Sequence, residues 1–569
     1  MLQILINAEP VDLPLDASIT IEEESPVFGT SEILGGFGFP FNLPVTPRNS
    51  RILNFPERPG NVVPLARDYD FDLIHSGIPK LSGTITVRSA GNNYECYLVV
   101  GTGNLASKIT NKKLADLELG GSRTWSFLPE YVYPESDFAI FPIDNVSFML
   151  ESAQEVAFSN SKFRINAYEG GQFFQDSFYC FAITPFPFLG YVVKKVFSEH
   201  GFQIVENCIE TDSDLKDLVI YSTKDISTLI QVPYSFEGND YVTTERGLGQ
   251  FHLADCVPDM TIKDFILWLR NRFNIAFLID GNNQVRIIKR QDIILSSSVD
   301  QITDFAIGSS KIISIEKPSG YALKWNHDSD DEMFGAEYFK DIEGFLDLLQ
   351  DPVPTYADLD TLDPEVNEIH LVESEGVYWQ YGKTLHSSGV WIYQWQQWSI
   401  GYQNYLIGDR EEEFSSGFST LQMTNYHIIS TGKYMRCPIT QQKGNPLEAD
   451  EYRPFSARLL FYRGMQLDNQ SELCPMGSND NRNRSGNVIP GKNLTLFWEG
   501  EYGIYNQLWK KYLTWWTDRK QVNWLITDPS MLDFAQKYNI DGNHYLLKRR
   551  TIHLTANEII PGECEWYLV

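Results

Sequence analysis

Cysteine is scarce and scattered in this 569-residue chain. Cys96, Cys180, Cys208, Cys256, Cys437, Cys474 and Cys564 stand alone, with no C-x-x-C pair. An odd, dispersed set excludes a disulfide framework or a zinc site and reads as buried, reduced thiols, which fits assembly in a cytosol. Basic residues are also short, with 46 Lys and Arg against 75 Asp and Glu and a formal charge of −29. Affinity for nucleic acid comes largely from Lys and Arg displacing counterions, so sequence-specific DNA binding is a poor fit. Long hydrophobic runs are missing as well. The stretch from Phe186 to Val193 is cut by Pro187 and Gly190 and stopped by Lys194, far short of the ~20 residues that span a bilayer. Met1 leads directly into alternating Leu2, Ile4 and Ile6, with no basic n-region, so neither an export signal nor membrane insertion as a helix is expected.

The usual catalytic signatures are absent too. Nine histidines are dispersed without an i, i+4 pair or H-E-x-x-H, which argues against a zinc site. The acidic run DSDDEMFGAEYFKD places Gly335 eighth from Asp328, where a calcium loop needs glycine sixth, so a solvated acidic loop fits better. Gly35, Gly36 and Gly38, and the pair Gly101 and Gly103, lack the strand-to-helix context and third glycine of a dinucleotide loop, and no Walker A sequence exists; turns and bulges are the expected use. His370, near Glu368 and Glu373, has no G-x-S-x-G partner and reads as a structural strand residue. Glu499 and Glu501 on a strand would share a face about 6–7 Å apart, a glycosidase-like spacing that any E-x-E strand produces. The expected inventory is therefore no catalytic residue, no cofactor and no metal ligand.

What is present is an ordinary soluble composition, 43% apolar and 21% charged, in a length that suggests about three to five domains. Leu2 to Ile6 and Ile19 to Glu22 alternate as strands. Prolines at 40, 44, 47, 56 and 59 then oppose both helix and central strand, giving an extended, irregular arm from Phe37 to Pro59. Asp70–His75, Gly83–Arg88 and Tyr94–Val100 form an antiparallel meander. Two helix-then-strand units follow, similar enough for a weak internal repeat. One has a stripe through Phe188, Leu189, Val192, Val193, Val196 and Phe197, closed by Gly201. The other is capped at Thr261 with Asp264 at the third helical position and runs into a hairpin from Ile275–Ile279 to Val285–Ile288.

The two departures from average composition have addresses. Between Asp328 and Glu375 lie 16 acids and one base, Lys340, about half of the net charge. Of the aromatics, 14% of the chain, a dense group runs from Val377 to Tyr405 and predicts a twisted antiparallel sheet with large rings on both faces. Trp379, Trp391, Tyr393, Trp395 and Trp398 are its candidate glycan-binding or interface residues; core and subunit-interface packing is the weightier use of such rings. An Asn/Ser/Gly/Arg-rich loop occupies Asp468 to Gly491, and a helix is expected over Ile504 to Trp516, followed by strands around Tyr545–Leu547 and Thr551–Leu554. The fold class expected is mainly β with α+β parts: small antiparallel sheets and barrels with a few packed amphipathic helices. The division expected is 1–150, 151–315, 316–465 and 466–569.

The segments QILINAEPVDLPLDASITIEEESPVFG, FGFPFNLPVTPRNSRILNFPE, GIPKLSGTITV and YECYLVVGTGNLASKITNKKLADLEL, with VPDMTIKDFILWLRNRFNIAFLIDGNNQVRIIKR and LDFAQKYNIDGNHYLLKRRTIHL further on, resemble tail hub proteins of phages and prophages of Bacteroidetes-type hosts. The resemblance implies a structural virion protein without enzymatic activity, a homotrimer at the distal end of a tail tube that is assembled in the host cytoplasm. It implies tail-tube and distal tail proteins, a tip or spike and tail fibres as partners, with DNA passing through unbound, and walls of negative charge suit that passage. The arm is then a candidate for reaching a neighbouring subunit through Phe37, Phe39, Phe41, Arg48 and Phe55, against folding on its own domain. A carbohydrate-binding, receptor-contacting tail protein and a cell-wall hydrolase using Glu499 or Glu501 are the alternatives.

Overall fold

The structure, a computed structural model, describes residues 2–29, 36–58, 60, 67–124, 131–145, 164–166, 168–169, 172–173, 182–236, 239–248, 250–280, 283–315, 318–325, 348–373, 377–385, 391–398, 404–408, 412–428, 433–440, 442, 455–467 and 473–569. It is mainly β, with several small sheets and few helices. The alternation of the first residues produces what it promised. Leu2, Ile4 and Ile6 bury one face of the strand Leu2–Ile6, which pairs antiparallel with Asp68–His75, and the meander continues through Ile78–Ala90 and Asn93–Val100. Ser76 and Gly77 turn the chain at positive φ.

The main departure from expectation is the size of one sheet. Fifteen strands are joined in the order Glu9–Pro10, Leu2–Ile6, Asp68–His75, Ile78–Ala90, Asn93–Val100, Gly36–Gly38, Ser18–Glu24, Asn543–Thr555, Gly562–Leu568, Gln521–Ile526 and Ala306–Ile313, with four further strands off this path. Ser18–Glu24 and Asn543–Thr555 pair antiparallel from Ser18 opposite Thr555 to Glu24 opposite Arg549. The first and last pieces of the expected division thus share a sheet. The two strands expected near the end are one, Asn543–Thr555, with a register shift between Leu547 and Arg549.

The arm is not irregular. Phe41–Pro44 is a strand on Asn93–Val100, and Pro47–Ile52 is a helix capped by the Thr46 side chain, which accepts from the Asn49 N–H. Pro47 stands at the first helical turn, where a missing N–H is no loss, so the proline that argued against a helix starts one. Gly36 and Gly38 form no turn or bulge. They lie in a strand packed between neighbours, where a Cβ at Gly36 would overlap Val100 and Glu23. Gly101 and Gly103 do have strand-to-helix context, between Asn93–Val100 and the helix Thr102–Ile109. The third glycine is still missing, and the Glu23 carboxylate lies beside Gly101, a poor neighbour for a phosphate.

Both helix-plus-strand units form as expected, at Leu189–Glu199 with Gln203–Asn207 and at Ile262–Phe273 with Ile275–Ile279 and Gln284–Lys289. Their strands join in one three-stranded sheet, Gln203–Asn207 parallel to Gln284–Lys289. The last helix begins as a π-helical turn, Tyr505–Trp509, and continues as Lys510–Asp518, burying Leu508, Trp509, Tyr512, Leu513 and Trp516. Cys96, Cys256, Cys437, Cys474 and Cys564 are buried free thiols and Cys208 is half-buried. Cys180 lies outside the described residues. Among the described residues no helix is long and apolar enough to cross a membrane.

Candidate functional site

Three features that the sequence keeps apart, the acidic segment, the aromatic sheet and the Asn/Ser/Gly/Arg-rich loop, meet around a cleft of about 1040 Å³. Its floor is an antiparallel sheet of Ile369–Val372, Val377–Leu385 and Trp391–Trp398. The register sets Tyr381 opposite Trp395 and Lys383 opposite Tyr393, and since side chains alternate along a strand, Tyr381, Tyr393 and Trp395 share a face. Their rings form a ladder: Tyr381 lies 5.3 Å from Trp395 and 6.1 Å from Tyr393, the last pair within 22° of parallel. The ladder runs from core to solvent, Trp395 being 6% exposed and Tyr393 49%.

One wall is the short helix Tyr356–Leu359 and the segment after it. Asp358 closes the first turn by accepting from the Thr355 N–H and hydroxyl, both at 2.8 Å, a reciprocal cap that fixes a helix too short to persist alone. Trp395 Nε1 donates to the Leu359 carbonyl at 3.2 Å, locking that wall to the floor. Exposed Asp360 and Asp363 face the cleft from this side. The opposite wall follows the strand Leu473–Ser478, so the loop expected from Asp468 begins with a strand. Asp480, buried, pairs with Arg436 and accepts from the Arg482 N–H at 2.9 Å. Asn483 Oδ1 accepts from the N–H groups of Ser485 and Asn487, the turn chemistry for which Asn and Ser are suited. Arg482 donates to the Gly486 carbonyl at 2.7 Å and Arg484 to that of Pro475 at 2.8 Å.

Of the aromatic candidates, Trp379 and Trp395 are buried in a small cluster with Trp325, Val353, Leu359, Val372 and Phe497, Trp379 packing edge-on against Tyr356 at 4.6 Å. Of the candidates with described side chains, Tyr393 is the ring that reaches solvent. Trp391 and Trp398 lie on the strand opposite Leu385 and Tyr378, and their side chains are outside the described residues. Tyr405 belongs to a different sheet, pairing with Leu323; Tyr402 is outside the described residues. His370 is a buried strand residue whose Nδ1 meets the Asp351 carbonyl at 2.9 Å. Sequence reasoning placed Tyr381 in the aromatic run without singling it out, and missed Arg482 and Arg484, for which the Asn/Ser/Gly/Arg-rich composition of their loop was the available signal.

The arm residues fall in two groups. Phe37 and Phe39 are 52% and 44% exposed, their rings 5.8 Å apart. Phe41 packs on the N-terminal core, Arg48 pairs with Asp12 at 2.8 Å, and Phe55 lies under the Arg58 guanidinium at 4.0 Å. Glu499 and Glu501 are on turns leading into the last helix, not on a strand, so the shared-face spacing expected of them fails: Glu499 is half-buried and Glu501 exposed. Burial raises the Glu499 carboxyl above its ordinary value. The run from Asp328 to Asp341 lies outside the described residues. Among those described, no three His, Cys, Asp or Glu are grouped to hold a metal.

No protein-family model matches the sequence, and no curated protein matches it. Among solved structures the chain is similar to the 43 kDa tail protein of prophage MuSo2 from Shewanella oneidensis, with a TM-score of 0.31 and 6% identity over 100% of this chain and 98% of that one. It is also similar to the tail protein from Neisseria meningitidis MC58, with a TM-score of 0.33 and 7% identity over 100% of this chain and 95% of that one. Scores this low assign neither a shared fold nor a role.

Proposed function

We propose that the chain is a structural component of a phage tail, and more narrowly the threefold hub at the distal end of the tail tube, which anchors tip or fibre proteins and lets DNA pass without holding it. One observation carries this reading. The sequence segments that resemble tail hub proteins, separated by up to five hundred residues, are packed into a single body. Ser18–Glu24 pairs with Asn543–Thr555. Arg550 reaches Glu23 at 2.6 Å, Arg290 donates to the Gly29 carbonyl at 2.8 Å and Asn104 donates to Asn283 at 3.1 Å. The aromatic and acidic segments lie between these pieces in sequence, as additions to that body.

Subunit contacts of a closed ring require exposed apolar surface beyond what a monomer needs. Phe37 and Phe39 supply some. A second patch is a groove of about 760 Å³ lined by Leu295, Trp515 and Leu568 and rimmed by Lys510 and Lys511. The test is the mass of the purified protein by light scattering together with imaging of particles from the host that produces it. A trimer, and threefold density at the tail end that an antibody to this chain labels, is the expected result. A stable monomer absent from tail particles overturns the proposal.

A further inference from the structure

We infer that the groove beside the last helix receives the acidic run 328–347 of a second copy of the chain, head to tail. The inference rests on the ring reading above and names the contact that closes the ring.

The groove, about 760 Å³, follows from helix geometry. Along Lys510–Asp518 the residues Tyr512, Leu513 and Trp516 are buried, which leaves Lys511, Thr514, Trp515 and Asp518, at i, i+3, i+4 and i+7, to share the outer face. Trp515 is fixed there: its Nε1 donates to the Leu568 carbonyl at 3.0 Å and its ring lies 5.9 Å from that of Phe28. Leu568 and Leu295, the latter 52% exposed, complete an apolar floor. A tryptophan already held in place loses little freedom on binding, and such anchors dominate contact energies between proteins.

The rim sets the charge of the occupant. Lys510, Lys511 and Lys520, all exposed, stand against one acid, Asp518. Lysines elsewhere on the surface meet acids, as Lys113 meets Asp259 and Lys548 meets Glu565; none of these three has an ion-pair partner among the described residues. A positive rim around an apolar floor favours an occupant that is both acidic and apolar. The run 328–347 has that chemistry, with eight Asp and Glu against Lys340, and with Met333, Phe334, Tyr338, Phe339, Ile342 and Phe345 among them. A loop that serves only solvation has no use for so many large apolar groups.

The two surfaces belong to different parts of the chain. Both flanks of the run are tied to the cleft sheet, Trp325 through the cluster it shares with Trp379 and Leu349 through its bridge to Ile369, whereas the groove is built on the last helix and Leu568. A donor surface and a distinct acceptor surface make a heterologous contact, the type that generates rings.

The experiment is sedimentation velocity on the purified full chain in three forms: the parent, a groove variant carrying Lys510→Glu, Lys511→Glu and Lys520→Glu, and a run variant with the eight acids of 328–347 replaced by Asn and Gln. Each variant alone is expected to need at least about tenfold more protein to associate than the parent does. Their equimolar mixture is expected to recover a one-to-one pair, because one member keeps the run and the other keeps the groove. Association of the parent should weaken as salt rises, since the rim is exposed. A synthetic peptide of residues 328–347 provides a readout independent of how either variant folds, and is expected to lower the mass of the parent assembly where a poly-glutamate peptide of equal charge does not. Variants that associate like the parent, a mixture that forms no pair, or a peptide without effect or matched by poly-glutamate each overturns the inference. A run variant whose mass is unchanged but whose melting temperature falls would place the run in the groove of its own chain and overturns it as well. The two readings fail separately: a trimer untouched by either variant sinks the groove contact alone, and a run-dependent closed dimer sinks the threefold ring alone.

Discussion

In the terminal sheet the core is mostly aliphatic, with Tyr69, Phe71 and Tyr94 among it. Leu2, Ile4, Ile6, Ile19, Ile21, Ile85, Leu98, Ile552 and Leu554 interdigitate, the ion pairs Arg48–Asp12 and Arg51–Glu9 sit at its surface, and Arg550–Glu23 is its one buried ion pair among the described residues. In the central body, from the helix Leu189–Glu199 to the last helix, guanidinium groups occupy the interior: Arg270, Arg272, Arg290, Arg436, Arg458, Arg463 and Arg484 are all buried. Arg272 lies between the rings of Trp325 and Trp498, at 4.0 and 4.6 Å, and donates to the Leu496 carbonyl. Regular strands satisfy their own backbone groups and can be joined by apolar contact. Irregular segments bring carbonyls inside, and a long side chain with five donors is the economical way to satisfy several at once. The difference teaches where polarity is structural: the buried arginines of the central body hold loops, Arg436 and Arg484 at the cleft wall included, and of the cleft-wall arginines Arg482 alone is half-buried.

The largest expected effect follows from removing one of those arginines. The Arg463 side chain is fully buried and donates to Asp214 at 2.9 Å, to the Asp480 carbonyl at 2.9 Å and to the Leu494 carbonyl at 3.1 Å. Arg463→Ala leaves a buried carboxylate and two carbonyls without that donor, and a loss of about 3–5 kcal/mol in urea unfolding is expected. Added salt should change this deficit little, because the pair is shielded from solvent. The matching test in the terminal sheet is Ile552→Ala, which opens a cavity beside Ile21, its cross-strand partner. Its cost is expected to be about 2–4 kcal/mol. If the arginine substitution proves the milder of the two, the contrast between the regions fails.

A smaller effect tests whether the regions unfold together. Thr261 caps the helix Ile262–Phe273, accepting from the Asp264 N–H at 3.0 Å, and that helix carries Arg270 and Arg272. Thr261→Ala should cost about 1 kcal/mol. A single unfolding transition shifted as a whole would show one cooperative unit. Two transitions with only one displaced would show that the arginine-held body and the terminal sheet melt separately.

Local pattern carried much of this architecture into the sequence. The alternation of Leu2, Ile4 and Ile6, the stripe of the helix Leu189–Glu199 and the Thr261 cap all lie where periodicity and capping chemistry put them, because burial of one face is decided within a few residues. Pairing at a distance was not legible. Nothing in Ser18–Glu24 names Asn543–Thr555 as its partner, and Tyr405 continued an aromatic pattern into a different sheet. Proline and glycine misled where one residue serves two geometries: Pro47 opens a helix, and Gly36 marks close strands and not a turn. At the cleft, aromatic density located the sheet, but which ring stays exposed depends on the wall around Leu359 that covers Trp395 and leaves Tyr393 open.

The smallest effect concerns a central-body carboxylate to which no cation is paired among the described residues. Glu499 is partly buried, and burial alone pushes its carboxyl above the ordinary value of 4.5. The folded protein therefore holds the proton to a higher pH than the unfolded chain does. Stability from this group is complete below the unfolded value and is lost as pH rises through the folded one, so at neutral pH the charged carboxylate works against folding. Glu499→Gln keeps the shape and removes the charge. The variant is expected to be more stable than the parent at pH 7, the gain shrinking as pH falls toward 4.5 and vanishing below it. Paired melting curves from pH 4 to pH 8 read this directly. A gain that persists unchanged at low pH would trace the effect to packing, and a loss at pH 7 would mean that the carboxylate, like Asp214 and Asp480, has a donor holding it.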